Sequence, residues 1–136
     1  MSAAYLSSGE FNIDARGSAP DTAIVPLVTC VARDPVNGGS YIAAFGYQRT
    51  GGSATAEVRY ASSGPVLNYV SVGGNPLPPN YGVPIEFAVG TQPNQFSVRA
   101  LDTQSVTWWL TSDATRSAVA TITTQPACAP IGKPPA

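Results

Sequence analysis

Turn-forming residues interrupt this chain before any run reaches helical length. Thirteen Gly and thirteen Pro are spread through 136 residues. They leave strand-length runs: TAIVPLVTCVA, SYIAAFGYQR, ATAEVRYAS, PVLNYVSVGG, VPIEFAVG, NQFSVRAL, SVTWWLT and TRSAVATITT. Turn signals such as Asn37-Gly38-Gly39 separate them. Runs recurring roughly every ten residues with such punctuation are the pattern of a β-sandwich or small barrel. No segment of helical length keeps a 3.6-residue period. The nearest, DATRSAVATI, is too rich in Thr and Val. Several runs alternate. Tyr41, Ala43, Phe45 and Tyr47 share one face, and Ala54, Ala56, Val58 and Tyr60 oppose Thr55, Glu57 and Arg59. The second pattern predicts a half-exposed antiparallel strand. Pro26 cannot donate to a ladder, so its run is an edge strand or carries a bulge. NPLPPNYG reads as a loop with polyproline character.

The length suits one domain. Residues 1–20 read as an arm, 21–128 as the β domain and 129–136 as a Pro-rich tail. The arm sets Tyr5, Leu6, Phe11 and Ile13 in a Ser/Gly background, with Phe11 and Ile13 alternating with Asn12 and Asp14. Its first residues lack the positive and apolar regions of a signal peptide. Either a signal was removed before this numbering begins, or another route applies. No apolar run is long enough for a membrane span. A net charge of −1 without any basic run argues against nucleic acid as a partner. The two cysteines, Cys30 and Cys128, are too few for a zinc site in a chain without His, and they are not a C-x-x-C pair. A Cys30–Cys128 disulfide is favoured over two buried thiols, and it implies an oxidising, extracellular or cell-surface location.

The residues argue against catalysis. The absence of His removes the commonest general base and metal ligand. Asp34, Asp102 and Asp113 fall in turns, where Asp usually caps its own backbone. Glu57 and Glu86 would supply a glycosidase-type carboxylate pair if their strands were neighbours. Glu57 beside Arg59 on an outward face reads more simply as a solvated charge pattern. There is no nucleophile elbow, phosphate loop or calcium loop. No cofactor or metal site is expected.

The stretch Val106-Thr107-Trp108-Trp109-Leu110 carries both tryptophans. In a strand, neighbouring side chains face opposite ways. Val106, Trp108 and Leu110 make the core face, which turns Trp109 outward among threonines. Three uses for Trp109 compete: it is covered within the chain, it packs on another subunit, or it forms a sugar-stacking platform with Tyr60, Tyr69 or Tyr81.

Taken together, Tyr41-Ile42-Ala43-Ala44-Phe45-Gly46-Tyr47, the Gly73-Gly74-Asn75 loop, Phe87-Ala88-Val89-Gly90, Phe96 and the VTWWL stretch carry a resemblance. Over residues 28–122 the chain resembles small β-sandwich modules of large extracellular and surface proteins of bacteria. The resemblance implies a secreted, non-catalytic structural module and carries over no catalytic residue. The chain departs from these modules in having its own arm. The expectation is an all-β, Ig-like antiparallel sandwich of about seven to nine strands with an extended N-terminal arm. It would act as an extracellular filament or surface-layer subunit whose arm adds a strand to the next copy. The assembly residues would be Tyr5, Leu6, Phe11, Ile13 and Trp109. The rivals are a carbohydrate-binding module that uses exposed aromatics, with polysaccharide as partner, and a virion decoration or fibre protein.

Overall fold

The computed structural model describes residues 22–36, 38–52 and 55–128. These residues form antiparallel sheets without an α-helix. The strands are β1 (Ile24–Arg33), β2 (Ser40–Arg49), β3 (Ala56–Glu57), β4 (Asn68–Val72), β5 (Asn75–Pro76), β6 (Glu86–Phe87), β7 (Gly90–Leu101), β8 (Val106–Thr111) and β9 (Thr115–Ala120), with a 3-10 turn at Pro79–Tyr81. One sheet has the order β1-β2-β7 and the other β9-β8-β4-β5, while β3 and β6 form a separate two-stranded ladder.

Alternation decides what lies between the sheets. Tyr41, Ala43 and Phe45 are fully buried and Tyr47 is nearly so, all from one face of β2. Val106, Trp108 and Leu110 of β8 are likewise fully buried. Phe96 stacks on Phe45 at 5.3 Å and meets Trp108 edge-on at 5.0 Å, so the two sheets share one core. Trp108 also lies 6.3 Å from Phe87 of β6, which brings the small ladder into that core. Aromatic pairs at such distances add to the area that they bury.

Prolines shape the edges as the sequence reading expects. β1 is an edge strand and carries a register shift between Val28 and Cys30, two residues beyond Pro26. β7 is the opposite edge. It passes the Gln92-Pro93-Asn94 stretch with a bulge, where Asn94 has φ of 55°: the pairing steps from Phe45–Phe96 to Tyr47–Gln92. Gly46 sits against this bulge, where an added Cβ would fall 2.3 Å from the Gln92 carbonyl oxygen. Only glycine permits that approach.

Two expectations are corrected. ATAEVRYAS does not form a long strand. Within the described residues its pairing is the Ala56–Glu57 ladder against Glu86–Phe87, one bond from the Val58 N–H to the Ile85 carbonyl at 2.8 Å, and an isolated antiparallel bridge between Ala61 and Asn68. Alternation still buries Val58, but the partner run carries Pro84, which offers no donor, just before Ile85. NPLPPNYG is not a polyproline loop throughout. Asn75–Pro76 pairs with Ser71–Val72, and the 3-10 turn ends at Gly82 with φ of 91°.

Candidate functional site: an open sheet edge and an outward aromatic pair

A sheet edge is a row of donors and acceptors, and the chain closes some of its edges itself. Along β1 the Val31 N–H donates to the Pro126 carbonyl at 3.0 Å, and the Cys128 N–H donates to the Val31 carbonyl at 2.9 Å. The Cys30–Cys128 disulfide, with a Cα–Cα distance of 4.8 Å, holds that strap in place. At the other end of β1, the Ile24 N–H donates to Ser112 Oγ at 3.1 Å. In the second sheet, β9 lies against β1, and β5 is only two residues long with Pro76 at its end.

β7 is different. At its ends the Asn94 N–H donates to Thr29 Oγ1 at 3.1 Å and the Leu101 N–H to Gln104 Oε1 at 2.9 Å. Between them, residues 95–100 have no backbone partner beyond β2 among the described residues. Phe96, Val98 and Ala100 point into the core, while Gln95, Ser97, Arg99 and Leu101 are exposed. Arg99 is engaged by Asp34, and Arg33 bonds Asp102 at 2.8 Å. Pro93 and the bulge blunt the start of this edge and the 3-10 turn at Pro79–Tyr81 lies against it, but residues 95–100 keep no backbone bond beyond β2 among the described residues.

The second surface is the outer face of the β9-β8-β4-β5 sheet. The register sets Tyr69 directly opposite Trp109 on one side, with Ser117 opposite on the other. Thr107, two residues before Trp109, faces Ser71 and Val119. Trp109 and Tyr69 are both half-buried. Neither the Trp109 indole N–H nor the Tyr69 hydroxyl has a hydrogen-bond partner among the described residues, and neither is sealed from solvent.

The other expected aromatics are placed elsewhere. The Tyr60 hydroxyl donates to the Leu77 carbonyl at 2.7 Å, and Tyr81 sits exposed on the 3-10 turn. The assembly residues Tyr5, Leu6, Phe11 and Ile13 lie outside the described residues. The structure does bring Glu57 and Glu86 together as direct cross-strand partners, but both are exposed on a two-residue ladder. A glycosidase acid is held protonated by a desolvating pocket, and this surface ladder supplies none. No group of three or more potential metal-ligating side chains occurs among the described residues.

The sequence reading missed several buried polar residues, Asn68 and Arg49 among them. Asn68 is fully buried. Its amide donates to the Val58 and Pro84 carbonyls at 2.9 and 2.8 Å, and its carbonyl accepts the Trp108 indole N–H at 2.9 Å. The signal was present in the alternation, because Asn68 shares its face with Val70 and Val72. Arg49 is also buried and donates to the Phe87 carbonyl at 2.8 Å. Tyr41 sends its hydroxyl to the Gln104 and Ala120 carbonyls at 2.6 and 3.2 Å. Burial, with the Asp102 charge adding to it, pushes that phenol above its ordinary pKa. Of the turn aspartates, Asp34 does cap its own backbone, accepting the Val36 N–H at 2.9 Å. Asp113 instead takes Arg116 at 2.6 Å, which holds its carboxyl below the usual range.

No helix among the described residues is long and apolar enough to cross a membrane. No protein-family model, curated protein or solved structure matches this chain.

Proposed function

We propose that the chain is a non-catalytic structural subunit of an extracellular or cell-surface filament or layer. Residues 21–128 form an Ig-like sandwich, and the arm at residues 1–20 of one copy adds a strand to the next copy. The observation that carries this reading is the asymmetry of the β1-β2-β7 sheet. Its β1 edge is bonded at Val31 by the chain's own 126–128 segment and at Ile24 by Ser112, while residues 95–100 of β7 have no backbone partner beyond β2 among the described residues. A strand added at such an edge gains a ladder of backbone bonds. The alternation of Phe11 and Ile13 with Asn12 and Asp14 gives the donor one apolar face. Head-to-tail contacts of this kind, if they do not close, generate filaments. The Cys30–Cys128 disulfide fits an oxidising compartment.

Deletion of residues 1–18 tests the reading. The expected product is a folded monomer that no longer assembles and that caps growth of the full chain, seen by size-exclusion chromatography and negative-stain microscopy. An unfolded product assigns the arm to its own domain. Normal assembly of the truncated chain rules out exchange through the arm.

A further inference from the structure

We infer that residues 9–14 of the arm pair antiparallel with residues 95–100 of β7 in the next copy, in the register that sets Asn12 opposite Ser97. The inference rests on the strand-addition reading above and specifies which residues meet. Bonds at the end of β7 fix which of its backbone groups face outward. The Asp102 N–H donates inward to the Gly39 carbonyl at 2.9 Å. The Leu101 N–H and carbonyl both turn away from β2, to Gln104 Oε1 and the Gln104 N–H, each at 2.9 Å. Backbone groups alternate in direction along an antiparallel strand. Ser97 and Arg99 therefore present their N–H and C=O groups to the open edge, while Val98 and Ala100 bond β2. Side chains alternate in step. A residue set opposite Ser97 or Arg99 points to the outer face with them, and its neighbours point inward with Phe96 and Val98.

The sequence of the arm fits that pattern in one position. With Asn12 opposite Ser97, Phe11 faces Val98 and Ile13 faces Phe96, both core positions, and Glu10 faces the exposed Arg99. Opposite charges directly across a ladder favour the pairing. A shift of two residues one way sets Glu10 against Leu101, whose backbone groups Gln104 already takes. The same shift the other way sets Ile13 against Asn94, in the bulge with φ of 55°. The ends agree as well: Gly9 falls at Ala100, just before Gln104 closes the edge, and Asp14 falls at Gln95, where the bulge begins. The chain leaves the domain on the far side of this sheet. Thr22 Oγ1 accepts a bond from Arg49 Nε at 3.3 Å beside the start of β1, and β1 is the edge opposite β7. A copy placed edge to edge meets the arm without the arm crossing its own sheet.

The test mixes full chains carrying Asn12→Cys with full chains carrying Gln95→Cys, Ser97→Cys or Arg99→Cys, under mild oxidation, and identifies the linked peptides by mass spectrometry. Directly opposite residues of a hydrogen-bonded pair have Cα atoms about 5.5 Å apart, within reach of a disulfide. An offset of two residues adds about 6.7 Å along the strand, which carries the pair beyond the limit of about 7 Å. We expect the link with Ser97→Cys and its loss with the other two. A link that prefers Gln95→Cys or Arg99→Cys overturns the register and leaves strand addition standing. Mixtures that assemble without any of the three links overturn pairing at β7. A link found only within single chains of an Asn12→Cys, Ser97→Cys double variant assigns the arm to its own edge and overturns both readings.

Discussion

Trp108 and Trp109 are neighbours in sequence and opposites in environment, and a single bond explains much of the difference. A buried indole needs a partner for its N–H, because an unsatisfied donor in the core costs about 1–3 kcal/mol. Trp108 finds one in Asn68, at 2.9 Å. Asn68 uses its two donors on Val58 and Pro84, so one side chain ties β4 to β8 and to the segments flanking the β3–β6 ladder. Trp108→Ala should destabilise by about 3–5 kcal/mol as a large core truncation. Asn68→Ala should cost about 2–4 kcal/mol although it removes few atoms, because it orphans the indole and two carbonyls. Trp109→Ala, which uncovers only half-buried surface, should cost about 1 kcal/mol or less. Denaturant titration of the three variants checks the order. Equal losses at Trp108 and Trp109 would show that both rings are structural.

At the scale of elements, alternation was a good guide to which side chains are buried and a poor one to ladder length. The faces of SYIAAFGYQR and VTWWL could be read directly, because a buried face imposes a period of two. The edge position and bulge of β1 followed from Pro26. The shrinkage of ATAEVRYAS to a two-residue ladder did not, since pairing depends on a partner distant in sequence that carries Pro84. The Tyr69–Trp109 pair was illegible for the same reason: three tyrosines were candidates, and register alone selects one. Register also exposes a cost. Glu57 and Glu86 are direct partners, and like charges opposite each other destabilise a ladder. Glu86→Lys should therefore stabilise the protein by a few tenths of a kcal/mol, about 0.2–0.5. The gain should shrink in high salt, where exposed charges are screened. A loss at low salt would mean that Glu86 has a favourable partner.

At the scale of the whole molecule, one covalent link joins the first strand to the end of the described chain. Cys30 and Cys128 are 98 residues apart in sequence, so the bond closes nearly all of the domain into one loop. On the chain-entropy account, a loop of that size removes enough freedom from the unfolded state to contribute about 4–5 kcal/mol. It also acts locally, because the strap that it anchors exchanges hydrogen bonds with Val31 on both sides of the peptide unit. The two effects make different predictions for a Cys30→Ser, Cys128→Ser variant. If the link works on the unfolded ensemble, the whole domain melts lower, by roughly 10–20 °C for about 2–5 kcal/mol in a chain of this size. If it only pins the strap, the global melting temperature hardly moves, and only the Val31 and Cys128 amides lose protection from hydrogen exchange. We expect both: a lowered melting point and early loss of protection at those two amides, since the strap retains only two backbone bonds once the sulfurs are gone. The early loss has a consequence for assembly. Freed of its strap, β1 presents a second open edge, and the variant should aggregate more readily than the parent chain at equal concentration. A variant with unchanged melting temperature, unchanged exchange and unchanged solubility would show that the β1 edge is closed without help from the disulfide.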